Sequence, residues 1–288
     1  MKPRLETVGA FWFPATLGWC RISRMELDPK RLAIQRNRHA WNELAEQGAA
    51  LARPAAEADF ADPLSAVDPA GWLRRGLGGV VAGKRVLCLA AGGGRQGPLH
   101  AAAGMDVTVV DLSEAMLARD RQVADARGLS LRIVQASMDS LSDLHDEEFD
   151  AVVQPVSSCY IPDLAPLYAE VARLLRAGGV YVSQHKTPTS LQAANRMSPN
   201  GLTLETPYYQ DNPLPPADAC RTREPGTVEF LHRWEELIGG LCRAGFVIED
   251  LSEPSHTKEP GEHGRRSRYV APYVRVLARR QSAEGMTE

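Results

Sequence analysis

Residues 86–113, VLCLAAGGGRQGPLHAAAGMDVTVVDLS, carry the organisation of this chain. An apolar run (86–89) enters a glycine-rich turn at Gly92, Gly93 and Gly94, a helix of small residues begins near Gln96, and a second apolar run (107–110) ends in Asp111. Both apolar runs read as buried strands. The glycines let the backbone turn sharply and pass close to a ligand that side chains would block. The helix start presents unpaired N–H groups to an anionic group in the turn. An acidic residue at the carboxyl end of the second strand suits a ribose diol, because a carboxylate can accept two hydroxyl hydrogen bonds at once. The ligand is therefore expected to contain a nucleoside. Gly92, Gly94 and Gly97 also satisfy G-x-G-x-x-G, so the turn alone leaves a nicotinamide site open, whereas the absence of a following GK[ST] excludes a P-loop.

Beyond this unit, strands and helices alternate. Strands are expected at 86–90, 107–111, 131–135, 149–154 and 179–185, with helices at 96–104, 113–127 and 163–176. Alternation of this kind calls for a mostly parallel sheet covered on both faces, with the ligand at the carboxyl ends of the strands. Residues 187–227 break the rhythm with seven prolines and Tyr208-Tyr209, and are too long for an ordinary loop in a compact domain. They are the candidate substrate lid. A helix at 228–243, a strand near 246–251 and a last antiparallel strand over 269–279 complete the domain, with Glu262 and His263 in the turn before that strand.

The ordered motifs resemble those of the class I S-adenosylmethionine-dependent methyltransferases, over about residues 84–253. Cys88, Ala90, Gly92 and Gly94 stand where that superfamily has an acid followed by G-x-G-x-G. Asp111-Leu112-Ser113 matches its ribose-binding acid and the residues after it, and Ser137-Met138-Asp139 the place that binds the adenine amino group. Phe149-Asp150-Ala151-Val152-Val153 matches the fourth strand, QPVSSCYIPD (154–163) the segment bordering the methyl group, and LLRAGG (174–179) the turn before the fifth strand. LCLAAGGGRQGP together with PVSSCY looks most like an uncharacterised bacterial branch.

The resemblance implies an α/β, Rossmann-like, doubly wound and mostly parallel seven-stranded sheet, with a helical N-terminal extension and a lid insertion after strand five. It implies an enzyme that takes S-adenosyl-L-methionine, releases S-adenosyl-L-homocysteine, and methylates a small-molecule acceptor by in-line displacement. The cofactor residues it implies are Ala90, Ala91, Gly92, Gly94, Gln96, Asp111, Leu112, Ser113, Ser137, Met138, Asp139, Gln154, Pro155 and Val156. Trp41, Cys159, Tyr208 and Tyr209 are candidates for the acceptor side. A base is needed only when the acceptor must lose a proton; His185 and His232 are the candidates, because histidine titrates near neutrality, and Tyr160 is the third catalytic candidate, to orient the acceptor by its hydroxyl or bound the methyl by its ring. Two alternatives stay open: an S-adenosylmethionine-binding protein with other chemistry or none, and a nicotinamide-dependent oxidoreductase.

The 288 residues, 44% hydrophobic, suffice for one domain with decorations. A net charge of −3 offers no broad basic surface and argues against a nucleic-acid substrate held by phosphate contacts. Five cysteines without paired or zinc-type spacing point to a reducing, cytoplasmic setting and to no metal. Residues 1–24 are read as an extension, either disordered or from an upstream start, whose apolar middle is interrupted by Pro14 and Gly18 and too short to span a membrane. Residues 25–83 then form a helical cap and linker, and residues 84–280 the cofactor-binding domain. A monomer or homodimer is expected.

Overall fold

The computed structural model describes residues 29–216, 220 and 222–282. The expected extension at 1–24 lies outside the described residues. Seven strands form one sheet in the order β3-β2-β1-β4-β5-β7-β6: β1 (Arg85–Leu89), β2 (Asp106–Asp111), β3 (Arg132–Gln135), β4 (Phe149–Gln154), β5 (Leu175–Lys186), β6 (Phe246–Ser252) and β7 (Tyr273–Arg280). The first five strands pair in parallel, and β7 runs antiparallel to both β5 and β6. This is the doubly wound sheet expected, with its chain order reversing between β1 and β4, where such folds open a crevice.

Alternation along the buried strands divides the core in two. Leu87 and Leu89 face one side with Phe149, Tyr181 and Val276, beneath α6 (Leu164–Leu174) and the short helices α8 (Trp234–Leu237) and α9 (Gly239–Arg243). Val86, Cys88, Val107, Val109 and Val180 face the other side, beneath α3 (Trp72–Gly76) and α5 (Glu114–Arg127). Helix α4 (Gln96–Ala102) lies directly on β2: a Cβ on Gly97 would fall 2.4 Å from Val109, so only glycine permits this approach.

The cap begins with α1 (Pro29–Glu46) and continues through α2 (Pro63–Val67). Arg119 of α5 clamps the chain between α1 and α2 by donating to the carbonyls of Ala52, at 2.9 Å, and Ala45. Among the described residues no helix is long and apolar enough to cross a membrane.

Three sequence expectations require correction. The helix expected over 228–243 starts only at Trp234, because residues 228–231 are held against the site instead: Phe230 N–H donates to Cys159 O at 2.7 Å and Glu229 is buried. The strand expected from residue 269 starts at Tyr273, and Glu262 and His263 lie not in a turn but in α10 (Gly261–Arg266). The insertion opens with α7 (Pro188–Gln192), capped by the Thr187 side chain.

Candidate active site

The glycine turn leaves β1 through Ala90, whose φ of +48° is uncommon for a residue with a side chain, and continues through Gly93 (φ +116°) and Gly94 (φ +78°). Gly92 N–H donates to Asp111 Oδ2 at 2.9 Å, and Ser113 N–H to Oδ1 at 2.9 Å. A Cβ on Gly92 would lie 2.9 Å from Met116 and 3.0 Å from the Asp111 carboxylate, so the backbone passes as close to that acid as atoms allow. Burial pushes the Asp111 carboxyl up, against the N–H groups of Ser113, Gly92 and Leu112, which favour its charge.

Cys88 occupies the position where the superfamily has an acid, and its thiol is buried and raised in pKa. A different residue performs the organising task. Asp120, buried on α5, accepts from Gly93 N–H at 2.9 Å and reaches the turn from the opposite side. Burial, reinforced by the charge of Asp111, pushes Asp120 up to about 7.

That shift sets a pH dependence. The unfolded chain ionises this aspartate near 3.8 and the folded one near 7, so the stability contributed by the protonated group is lost as pH rises from about 4 to about 7, at about 1.4 kcal/mol per pH unit, and is level above. Asp120→Asn lacks this slope. Urea titrations at pH 5 and pH 8 should show the variant gaining about 3 kcal/mol on the wild type between the two; a constant offset would show that Asp120 is already ionised at pH 5.

The turn forms one side of a cavity of about 440 Å3 at the carboxyl ends of the strands, within the roughly 300–1,000 Å3 usual for small-molecule sites. Ala90, Ala91, Gly92, Gln96, Asp111, Leu112, Ser137, Met138, Pro155 and Val156 line it, as do Tyr160 and Trp41. Ile34, Asn37 and Trp41 reach it from one face of α1, by helical spacing. Trp41 meets the Tyr160 ring edge-on, with centroids 5.7 Å apart.

Other expected site residues lie behind the lining. Gly94 shapes the turn without reaching the cavity. Ser113 is buried as the N-cap of α5, its Oγ accepting from Met116 N–H at 3.1 Å. Asp139 accepts from Ser137 Oγ. Gln154 is buried and holds Ser157 Oγ at 2.8 Å, while Tyr181 donates to its carbonyl.

Both histidine candidates need correction. His185 is fully buried between Ser158 Oγ and Ser183 Oγ, each 2.8 Å from a ring nitrogen, and burial together with the nearby His232 pushes it down to about 3. His232 directs Nε2 at the carbonyls of Ser158 (3.1 Å) and Ile161 (2.9 Å), and burial lowers its pKa too. Neither lines the cavity; they brace the Ser158–Tyr160 turn from behind. Cys159 is buried in that turn with its thiol pushed up. Tyr208 accepts from Trp234 N–H at 3.3 Å and Tyr209 is 79% exposed, so neither aromatic reaches the cavity.

Sequence reasoning missed a buried charge cluster at the β5 end. Lys186, the last residue of β5, lines the cavity at 4% exposure, with Nζ 3.0 Å from Glu224 and also bonded to Glu229, which Arg223 bonds in turn. The Tyr160 hydroxyl donates to Glu224, and Lys186 Nζ lies 5.5 Å from the Tyr160 ring centre. Burial opposes the ammonium, but the two carboxylates outweigh it and raise the Lys186 pKa; burial likewise opposes the Glu224 charge, but Lys186 and Tyr160 hold its carboxyl low. Burial and the Glu224 charge keep the Tyr160 phenol protonated, as a donor. Asn37 ties these parts together, donating to Tyr160 O and Val228 O at 2.9 Å each and accepting from Val228 N–H at 2.7 Å. None of this could be read from spacing, since its members come from α1, the turn after β4, β5 and the insertion.

Residues 87–183 match the family described as "Methyltransferase domain". The chain is 37% identical over 177 residues to the uncharacterized methyltransferase YbaJ of Bacillus subtilis (strain 168), covering 60% of this chain and 69% of that one. The chain belongs to the class I S-adenosylmethionine-dependent methyltransferases. An S-adenosylmethionine-dependent methyltransferase from Mesorhizobium loti shares the fold of this methyltransferase, with a TM-score of 0.59 at 25% identity over 74% of this chain and 98% of that one. Ubiquinone biosynthesis O-methyltransferase of Aromatoleum aromaticum (strain DSM 19018 / LMG 30748 / EbN1) is 37% identical over 119 residues, 41% of this chain and 50% of its own. Membership sets aside the nicotinamide reading of Gly92, Gly94 and Gly97. The methyl donor is S-adenosylmethionine, and the cavity fits it: Gly92, Gly93 and Asp111 line it together, and a Cβ on either glycine would crowd Met116, that on Gly92 the Asp111 carboxylate as well.

Proposed function

We propose that this methyltransferase transfers its methyl group to a small-molecule acceptor held at the β5 end of the cavity. S-adenosylmethionine supplies an electrophilic methyl carbon on a sulfonium, so the protein's main task is to hold a nucleophile in line with it. On this reading Asp111 and Leu112 hold the ribose, Ser137 and Met138 border the adenine, and residues 90–92 with Gln96 and Pro155 border the methionine end. The observation that carries the acceptor assignment is the placement of Lys186, Glu224 and Tyr160. They line the same cavity as Asp111, yet β5 stands three strand spacings, about 14 Å, from β2. The donor's nucleoside therefore leaves that end for a second molecule. Glu224 belongs to the insertion, which supports its role as a lid over the acceptor. The four free cysteines among the described residues favour a reducing, cytoplasmic setting.

The test is release of S-adenosylhomocysteine with a panel of phenols, carboxylic acids, amines and thiols. Turnover of one class is expected, with Tyr160→Phe lowering kcat/KM by about 10- to 100-fold through loss of one positioning hydrogen bond while S-adenosylhomocysteine binding stays unchanged. Turnover only with a protein or RNA substrate would overturn the proposal.

A further inference from the structure

Between β6 and β7 the chain brings two imidazoles and a carboxylate together. One donor atom each from His256, Glu259 and His263 lies within 4.8 Å of the others. His256 Nδ1 is 2.7 Å from Glu259 Oε1, and His263 Nε2 is 3.8 Å from Glu259 Oε2. The imidazole centres are 5.2 Å apart, and both rings rest against Tyr273, at 5.5 and 6.5 Å. His256 Nε2 is buried with no hydrogen-bond partner among the described residues.

The backbone holds this arrangement closely. Glu259 N–H donates to His256 O at 3.0 Å, closing a turn between the first two donors. Helix α10 then lies so tightly on that turn that a Cβ on Gly264 would fall 1.8 Å from Glu259 O. Arg266 fixes the helix from its far side, where its buried guanidinium donates to Ala194 O and Ser190 Oγ at 2.9 Å each and to Ala193 O at 3.2 Å. The three side chains thus project from a segment anchored at both ends. The spacing H-x2-E-x3-H (256–263) matches no common zinc pattern, which is why the sequence gives no warning of it.

We propose that His256, Glu259 and His263 bind one divalent transition-metal ion, of the zinc class, in the cavity wall. Two histidines and one carboxylate form a donor set used for zinc and for non-haem iron. With metal–ligand distances of about 2.1 Å, donors around a tetrahedral ion stand about 3.4 Å apart, a spacing these side chains reach by small rotations. Three protein ligands leave a coordination position for water or for an oxygen or sulfur of another molecule, whose proton the ion makes easier to lose. His256 and Tyr273 line the main cavity with Lys186 and Glu224, so the ion would border the acceptor. That placement rests on the function proposed above; binding of the ion does not.

The test is calorimetric and spectroscopic titration of the full chain, stripped with chelator, with Zn2+ and Co2+. One ion per chain is expected, with the visible absorption of four- or five-coordinate Co2+. Glu259→Gln and His263→Gln should each weaken Zn2+ binding by more than the roughly 10- to 100-fold that loss of an outer-shell partner costs, with S-adenosylhomocysteine binding retained as proof of folding. Should His263→Gln fail to fold, the partly exposed Glu259→Gln suffices. Absence of saturable binding to the wild type, or equal affinity in a folded variant, overturns the metal site and leaves the methyltransferase assignment intact. Stoichiometric metal binding without turnover of any small molecule would overturn the proposed acceptor class and leave the metal site intact.

Discussion

Asp111→Ala is expected to weaken binding of S-adenosylmethionine and S-adenosylhomocysteine by about 100- to 1,000-fold, measured by calorimetry. The carboxylate lines the cavity and has two oxygens for a ribose diol, and charge-assisted hydrogen bonds contribute about 1.5–3 kcal/mol each. A second effect adds to the first. Asp111 also holds the N–H groups of Gly92 and Ser113, so its loss frees the turn proposed to border the methionine end. Asp111→Asn separates the two contributions, because an amide oxygen can still accept from one backbone N–H while the charge is gone. Unchanged affinity in the alanine variant would mean that the nucleoside binds elsewhere than at the end of β2.

Lys186→Met is expected to destabilise the fold by about 3–5 kcal/mol in urea titrations at neutral pH, the usual loss when one partner leaves a buried ion pair. Glu224 and Glu229 would remain buried, with only Arg223 among the described residues to balance them. Removing Glu224 as well, in Lys186→Met with Glu224→Leu, leaves Glu229 with Arg223 and no net charge, so the double variant should recover much of the loss. A loss below about 1 kcal/mol in the single variant would place Lys186 in contact with water, as an ordinary surface pair. The double variant also bears on function. It should fold and bind S-adenosylhomocysteine, yet, on the proposed function, turn over the acceptor more slowly for want of Lys186 and Glu224.

The two histidines show why the site was only partly legible. His185 at a strand end and His232 before a helix have the local surroundings of a catalytic base, and nothing in a linear pattern says which way a side chain at a strand end faces. The sheet turns His185 into a serine-lined pocket beneath the Ser158–Tyr160 turn, and the non-helical segment before Trp234 brings His232 to the same turn. Lys186, one residue further along β5, faces the cavity instead. A shift of one residue exchanges the faces of a strand, which is enough to swap a candidate base for an overlooked lysine.

Asp120 makes the complementary point. Cys88 stands where the superfamily pattern has an acid, and that pattern counts positions along one strand. The amides of the turn need only a carboxylate within reach, from whichever element supplies it, and α5 supplies one 27 residues away from Gly93.

The architecture could be read from the chain itself because its signals are local. Buried parallel strands demand unbroken apolar runs, a turn where a Cβ would fall 3.0 Å from a carboxylate favours glycine, and an acid that closes a strand is adjacent to the residues it serves. Fold, family and donor follow from such neighbours. The buried charge cluster at the β5 end of the cavity, proposed to face the acceptor, belongs to tertiary structure alone. Lys186, Glu224, Glu229, Tyr160 and Asn37 are polar residues of ordinary composition until the sheet, the insertion and α1 meet, and their chemistry arises from burial and largely from partners distant in the chain, Glu224 lying 38 residues from Lys186 and Val228 lying 191 from Asn37. Burial makes a lone charge costly and a matched one strong, and burial is a property no single segment of this chain possesses.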